Sequence, residues 1–456
     1  MTGQRLPSSF RDPSGFVFER DGVLYRQVNR AYAEDLEHLR GSGLLAELVV
    51  DGLAVEVTPA DASLAMTEDA VAVLAPERVP FVSYPYEWCF GQLRDAALLT
   101  LQIAERALSR GMVLKDASAY NVQFLRGKPV FIDTLSFRRY REGEPWVAYR
   151  QFCQHFLAPV ALMAHCDLRL GGLLRVHLDG VPLDLAARLL PGSTKLRPGL
   201  LTHVHLHAKA QGKSGGGGRT PQISLTAQRA LLDSLRDTIK GLPFQPPATT
   251  WGDYYGNTNY TADAAQAKRD LVRSFLGDVE PRAATCWDLG ANTAEFSRLA
   301  AGMGMHTIAW DADPLAVERA YAAVRERGEP DLLPLLQDLT NPSPDQGWAS
   351  GERDSLVARG PTDVIMALAL VHHLALGNNV PLPTLAKTLA QMGKWLIIEF
   401  VPKEDSQVVE MLASREDVFP NYSLTGFEAA FHTVFDPVRR EGIPGTVRTL
   451  HLLRRR

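Results

Sequence analysis

Runs of apolar residues that end in a polar residue recur along the second half of the chain. Each run has the usual length of a strand, and helical patterns of about ten to fifteen residues separate them. The runs are Cys286–Leu289, Thr307–Trp310, Leu333–Leu336, Asp363–Leu370 and Trp395–Phe400. Strands that alternate with helices predict a parallel, doubly wound α/β sheet. Alternation over Val447–Leu453 predicts one more strand, at the edge of this sheet.

The first half of the chain begins with alternating apolar and polar residues on both sides of Asp21-Gly22. Asp-Gly between apolar runs is a hairpin signal, so Gly15–Glu19 and Val23–Val28 are predicted to pair. Helical patterns cover Ala31–Val50 and Gln92–Arg110. The first half is therefore predicted to be a mixed α+β domain.

Glycine and proline content indicates where the two halves separate. Lys213–Gly218 has the composition of a flexible linker, and Pro243–Pro247 is rich in proline. We predict a first domain over residues 1–211, with a small β-rich lobe at about 10–85 and a helical lobe at about 86–211. A linker and connecting helix over 212–250 and a second domain over 251–456 follow.

Composition narrows the class of protein. A chain of 456 residues is too long for one ordinary hydrophobic core, so two or three domains are expected. A net charge of −4 gives no general attraction to nucleic acid or to anionic membranes. None of the four cysteines has metal-ligand spacing, which favours free thiols in a reducing compartment. The N-terminus lacks the pattern of a signal peptide, and no apolar run is long enough to span a membrane. We therefore expect a cytoplasmic protein of undetermined oligomeric state.

The first predicted strand of the second half continues into a glycine turn and a helical pattern, Asp288-Leu289-Gly290-Ala291-Asn292-Thr293-Ala294-Glu295. This order allows backbone N–H groups to meet a ligand closely. With acids after the next two strands, the succession resembles class I S-adenosylmethionine (SAM) dependent methyltransferases over roughly residues 251–456. The resemblance implies a Rossmann-like, seven-stranded sheet whose last strand is antiparallel. An NAD-binding domain is the alternative, but its three-glycine fingerprint is not present.

The resemblance also implies a cofactor site at the carboxyl ends of the strands. Asp288 and Gly290 would contact the methionine part of SAM. Asp311 would accept both ribose hydroxyls, because a carboxylate offers two acceptor oxygens, and Asp338 would accept from the adenine amine. The remaining implied positions are Asn292 in the loop and Ala367 and Leu368 at the end of the fourth strand.

Methyl transfer to oxygen or nitrogen also requires removal of a proton. His372 and His373 follow the fourth strand, and either could be the base because histidine titrates near neutrality. His372 is the preferred candidate and Glu399, at the end of the fifth strand, the second. Structural roles for these side chains are the alternative. No metal is expected in this domain.

Three tyrosines precede the predicted methyltransferase core within an aromatic segment that contains glycines. Tyr254, Tyr255 and Tyr260 are predicted to belong to a lid over the acceptor, with packing at the domain edge as the alternative. The methyl acceptor is a small molecule, a glycan or a protein. The sequence does not choose among these classes.

Three polar residues in the first half have the spacing of a second site. Asp116, Asn121 and Asp133, the last after a predicted hairpin, resemble the catalytic loop of the protein-kinase-like fold, including aminoglycoside phosphotransferases, over roughly residues 10–200. The resemblance implies Asp116 as the base and Asn121 and Asp133 as ligands of Mg²⁺-ATP. The strand that would supply a lysine has Arg26 instead.

Three readings of this half stay open: a phosphotransferase, a domain that binds nucleotide or a partner without transfer, and a structural turn. The leading hypothesis for the whole chain is a SAM-dependent methyltransferase whose kinase-like domain recognises substrate or nucleotide. The alternative is a phosphotransferase with a regulatory SAM-binding domain.

Overall fold

The protein is described here from a computed structural model, in which residues 3–211, 222–244, 261–413 and 417–456 are placed. The chain divides into two compact units. One comprises residues 1–246 with Gly347–Glu352, and the other comprises residues 247–346 and 353–456. None of the helices in these described ranges combines the length and apolar content needed to cross a membrane.

The first unit mixes sheets and helices. Its main sheet is antiparallel, with the order β1-β2-β3-β5-β4. The strands are β1 Gln4–Arg5, β2 Gly15–Arg20, β3 Val23–Asn29, β4 Val57–Pro59 and β5 Ala70–Pro76. Two small antiparallel pairs follow, formed by β6 Met112–Leu114 with β9 Phe137–Arg139 and by β7 Val122–Leu125 with β8 Lys128–Phe131.

The helices of the first unit centre on a long, largely buried helix, α3, against which α10 packs. They are α1 Ala33–Gly41, α2 Leu44–Val50, α3 Phe90–Ser109, α4 Tyr149–Phe152, α5 Ala158–His165, α6 Leu173–Val176, α7 Leu183–Leu189, α8 Pro198–Leu200, α9 His207–Gln211 and α10 Leu225–Lys240.

Two local predictions for the first unit have different outcomes. The hairpin around Asp21-Gly22 is confirmed, because β2 and β3 pair antiparallel on either side of it. The single helix predicted over Ala31–Val50 is wrong. Gly43 takes a left-handed conformation with φ of 75° and divides this segment into α1 and α2.

The second unit is a seven-stranded sheet flanked by helices. The strands are β10 Thr285–Leu289, β11 His306–Asp311, β12 Leu332–Leu336, β13 Thr362–Ala367, β14 Gly393–Phe400, β15 Phe435–Gly442 and β16 Thr449–Arg455. The helices are α11 Ala262–Gly277, α12 Glu295–Gly302, α13 Pro314–Arg327, α14 Leu382–Met392, α15 Ser406–Leu412 and α16 Leu424–Phe431.

The order of this sheet is β12-β11-β10-β13-β14-β16-β15, with β10 to β14 parallel and β16 antiparallel to both neighbours. The five predicted parallel strands are therefore confirmed, as is a mixed sheet of seven strands. The placement of Val447–Leu453 at the edge is wrong. The corresponding strand, β16, lies between β14 and β15, and β15 forms the edge.

Apolar residues cover both faces of the sheet. On β13, Val364 and Met366 point into a core formed with α11 and α12, and the alternate residues Ile365 and Ala367 are also buried. Because successive residues of a strand face opposite sides, burial of both sets shows a doubly wound sheet. Strand order reverses between β10 and β13, which creates a crevice at their carboxyl ends.

Candidate functional site

A cavity of about 650 Å³ lies at this crevice in the second unit. Its walls come from the ends of β10 and β11, from the residues after β10, β11, β12 and β13, and from the first halves of α11 and α12. Six of the seven predicted cofactor residues line it: Asp288, Gly290, Asn292, Asp311, Asp338 and Leu368. Ala367 is buried at the end of β13 and is not part of the wall.

The glycine turn forms one wall of the cavity through an unusual backbone. Gly290, Asn292 and Ala294 have positive φ angles of 74°, 48° and 66°. The N–H groups of Gly290 and Ala291 both donate to the carbonyl of Trp310, at 2.9 Å, which fastens the turn to β11. A Cβ atom on Gly290 would lie 3.3 Å from Leu370 Cδ1, so a side chain here would crowd Leu370 as well as strain the left-handed backbone.

Asp311 is held in a fixed orientation beside this turn. Its Oδ2 accepts from the Asn292 N–H at 2.7 Å, and its Oδ1 accepts from the Asp313 N–H at 2.8 Å. Burial raises the pKa of Asp311 to about 6 despite these two hydrogen bonds. The carboxyl group is therefore oriented by the backbone, and each oxygen keeps capacity to accept from a ligand.

Asp288 is the second acid at the end of the central strands. Its Oδ2 accepts from Ser297 Oγ at 2.6 Å, and burial raises its pKa to about 6. Ser297 was not predicted as a site residue. Asp338 lies farther along the wall, where its Oδ1 accepts from the N–H and the hydroxyl of Thr340 at 2.8 and 2.7 Å.

The two histidines after β13 have different positions. His373 lines the cavity, whereas His372 is 2% exposed and does not. Their ring centroids are 4.1 Å apart. Burial, followed by the charge of Arg448, lowers the pKa of His373 to about 4, so this imidazole is neutral at physiological pH. His372 Nδ1 has no hydrogen-bond partner among the described residues.

Glu399 belongs to a chain of buried charges next to the cavity and does not line the cavity itself. Lys268 Nζ lies 2.6 Å from Glu399 Oε2, and Arg448 Nη1 lies 3.2 Å from Glu399 Oε1. Arg448 also contacts Asp405, with 2.7 Å between Nε and Oδ2. No side chain of the four is more than 6% exposed. The formal charges of these four side chains cancel, because two are positive and two are negative.

Lys268 is a cavity residue that sequence reasoning missed. It lines the wall, and its Nζ lies 4.9 Å from the centroid of the Phe296 ring. A signal was present, because Lys268 occupies a buried position of α11 at the i, i+4 spacing of Ala264 and Val272. A lysine within an apolar stripe indicates a charge that is paired inside the fold.

The predicted lid residues Tyr254, Tyr255 and Tyr260 lie outside the described residues. The cavity wall nearest to them in sequence begins at Thr261 and includes Arg269, which pairs with Glu295 at 2.8 Å.

The three predicted residues of the first unit lie in one polar cluster. Asn121 Nδ2 donates to Ser136 Oγ at 3.2 Å, and Ser136 Oγ in turn donates to Asp133 Oδ2. Asp116 accepts from Gln151 Nε2 at 2.7 Å and from the Ser118 N–H at 2.9 Å. The structure thus brings the three residues together.

The cluster does not fit the Mg²⁺ that the resemblance implies. Arg26 Nη1 donates to Asp133 Oδ1, so a cationic side chain already contacts the carboxylate. Burial is the largest single influence and would raise the pKa of Asp133. The charge of Arg26, together with the hydrogen bonds from Ser136, the Leu135 N–H and Arg26, nevertheless lowers this pKa below its ordinary value. Within the described ranges, no group of three or more His, Cys, Asp or Glu side chains is arranged to hold a metal ion.

No protein-family model matches the chain. A curated protein does. The nodulation protein NoeA of Rhizobium meliloti (strain 1021) is 37% identical over 462 residues, which cover 99% of this chain and 96% of NoeA. The chain belongs to the NoeA family. The family name refers to nodulation and states no reaction.

Solved structures show more limited likeness. The bifunctional kinase-methyltransferase WbdD is 15% identical over 44% of this chain and 41% of its own, with a TM-score of 0.32. Magnesium protoporphyrin IX methyltransferase (ChlM) from Synechocystis PCC 6803, solved with bound S-adenosylhomocysteine (SAH), is 18% identical over 45% of this chain and 92% of its own, also with a TM-score of 0.32. Likeness of this extent does not decide the activity of the NoeA-family chain.

Proposed function

We propose that the second unit is a SAM-dependent methyltransferase that acts on an oxygen or nitrogen atom of a small molecule, a glycan or a protein. One observation supports this most strongly. Asp288, Gly290, Asp311 and Asp338 come from three different strand ends and line a single cavity at the strand-order reversal. This is where open α/β sheets bind their ligands.

The cavity wall suits the three parts of the cofactor. Asp311 would accept from the two ribose hydroxyls, because the Asn292 and Asp313 N–H groups leave acceptor capacity on both oxygens. Asp338 would accept from the adenine amine. Asp288 would contact the ammonium group of the methionine part, and Lys268 is a cation on the wall for its carboxylate.

The remaining wall would receive the acceptor. It includes Phe296, His373 and Asn378, which offer an aromatic face, an imidazole and an amide. When bound, SAM supplies an activated methyl group on a sulfonium. His373 would take the proton of the acceptor atom, because it faces the cavity and its imidazole is neutral at pH 7. Its pKa of about 4 makes it a weaker base than the near-neutral histidine that the sequence suggested. The buried ring of His372 would pack against the ring of His373 and help to hold its orientation.

The first unit would contribute recognition of the substrate. The proposed domain limits are 1–211, 212–250 and 251–456, and α10 of the connecting segment packs against α3 of the first unit. Phosphoryl transfer is not proposed as a second function, because the contact between Arg26 and Asp133 disfavours a metal there.

Calorimetric titration of the full-length protein with SAM and SAH tests the proposal. We expect micromolar binding, and in Asp311→Asn a loss of about 10- to 100-fold, since hydrogen bonds to a charged group contribute about 1.5–3 kcal/mol. Asp270→Asn, which neutralises an exposed acid of α11, is the matched control. A wild-type protein that binds neither SAM nor SAH would exclude the proposed function.

A further inference from the structure

The polar cluster of the first unit contains an internal cation at the place where a metal would be required. Arg26 projects from the middle of β3, and its guanidinium contacts Asp133, which follows β8. The side chains of Arg26 and Asp133 are 15% and 16% exposed. A guanidinium stays charged at every physiological pH, so Arg26 can act as a counter-ion of Asp133 across that range.

The other hydrogen bonds of Asp133 also come from groups of the protein. Its Oδ2 accepts from Ser136 Oγ, and its Oδ1 accepts from the Leu135 N–H at 3.2 Å as well as from Arg26. Both oxygens therefore already have donors from the protein. A divalent cation at Asp133 would have to displace a guanidinium that has little access to water.

The two other members of the cluster are also oriented toward protein partners. The Asn121 amide directs its nitrogen to Ser136 Oγ and to the Asp116 carbonyl, at 3.2 and 3.4 Å, whereas a metal requires the amide oxygen. Asp116 is held by Gln151, which bridges it to the Ala117 N–H. These contacts orient Asn121 and Asp116 Oδ1 toward groups of the protein.

We propose that Arg26 replaces a divalent cation as the permanent counter-ion of Asp133, and that the first unit works without Mg²⁺ and does not transfer phosphate. The ion pair ties β3 of the main sheet to the turn after β8, so its role is to hold the unit together. All group-transfer chemistry of the chain then resides in the second unit. The inference does not depend on what the second unit binds.

Hydrogen–deuterium exchange of the full-length protein, followed on peptides that cover residues 119–139, tests this assignment. In the wild type, millimolar Mg²⁺ or Mg²⁺-ATP is expected to leave exchange unchanged. In Arg26→Met, exchange of these peptides is expected to rise about tenfold or more, because Asp133 loses its counter-ion. Millimolar Mg²⁺ is expected to reverse this rise in Arg26→Met and not in the double variant Arg26→Met/Asp133→Asn.

Two further variants make the result specific. Arg78→Met removes an exposed arginine whose Nη1 lies 3.4 Å from Glu19 Oε2, and Glu19 belongs to the same sheet as Arg26. This variant is expected to leave the exchange of residues 119–139 unchanged. Arg26→Lys keeps the charge and should fold even if Arg26→Met does not. It is expected to remain insensitive to Mg²⁺.

Three results would overturn the assignment. Protection of the wild type by Mg²⁺-ATP that disappears in Asp133→Asn would show a metal-nucleotide site. Unchanged exchange in Arg26→Met would show that Arg26 is not the counter-ion that Asp133 requires. If Mg²⁺ does not lower exchange in Arg26→Met, then Arg26 does not stand in for a divalent cation and its contact with Asp133 is an ordinary ion pair.

Discussion

At the scale of single residues, Asp288 and Asp311 are two cavity acids whose charge depends on pH near neutrality. Burial raises the pKa of each to about 6. A carboxyl group whose pKa is raised on folding favours the protonated native state. Its contribution to stability is complete below the unfolded pKa of about 4 and is lost as pH rises through 6. Neutral pH therefore keeps two ionised acids in the cavity at the expense of stability.

A ligand that donates hydrogen bonds to ionised Asp288 and Asp311 must bind more weakly in acid. We expect SAH affinity to fall between about pH 7 and pH 5, by about tenfold for each carboxyl group that must lose a proton. Calorimetry in buffers of different ionisation enthalpy should show proton release at about pH 6. Asp311→Asn should show a shallower dependence. A pH-independent affinity would show that neither acid contacts the ligand as a carboxylate.

Lys268 allows a test of which end of the ligand it contacts. Lys268→Gln is expected to lower SAH affinity about 10- to 100-fold and to leave affinity for methylthioadenosine, which lacks the amino-acid part, within about twofold. The control is Arg269→Gln, which removes the neighbouring cation that pairs with Glu295. Equal losses for both ligands would show that Lys268 acts through the fold. A larger SAH loss in Arg269→Gln would assign the carboxylate contact to Arg269.

At the scale of elements, the turn between β10 and α12 depends on backbone conformation. Gly290→Ala is expected to destabilise the second unit by about 1–2 kcal/mol and to weaken SAH binding, because φ is 74° and the new methyl would approach Leu370. Gly277→Ala, at the end of α11 with open space around it, should be neutral or slightly stabilising. Denaturant unfolding and calorimetry measure both effects, and equal behaviour of the two variants would contradict this account of the turn.

The strand-and-helix series of the second unit was predictable because each element carries its own periodicity, and acids at the carboxyl ends of parallel strands must converge on one edge. The resemblance to class I methyltransferases pointed to Asp288, Asp311 and Asp338, and this geometry explains why all three line one cavity. Lys268 and Arg448 could not be found in this way. They come from elements before and after the parallel series and meet at Glu399 through long-range packing.

The order in which strands pair and the small breaks within helices could not be predicted from the local pattern of apolar residues. β16 has the alternation of an edge strand, yet it lies between β14 and β15, and β15 was not predicted. The left-handed Gly43 divides a segment whose apolar pattern is continuous. The position of β16 is decided by its pairing with β14 and β15, and the break at Gly43 by a backbone angle, and an apolar pattern reports neither.

At the scale of the whole molecule, the division into two compact units predicts that a ligand of the second unit changes hydrogen exchange mainly within that unit. SAH is expected to slow hydrogen exchange in peptides that contain the ends of β10, β11 and β13, where the cavity wall lies. Peptides that cover residues 119–139 of the first unit serve as the internal reference. Protection of that reference with none at the strand ends would move the ligand site to the first unit.

The position of β16 has a consequence for the synthesis of the chain. The ribosome makes residues 449–455 after every other strand of the sheet, yet they lie between two strands that are already present. Until then β14 and β15 each have an unpaired edge, which is a surface that promotes aggregation. A product released before Thr449, for example by a premature stop codon, would carry every predicted cofactor residue. It would lack the strand that pairs with both β14 and β15, and its sheet would stay incomplete.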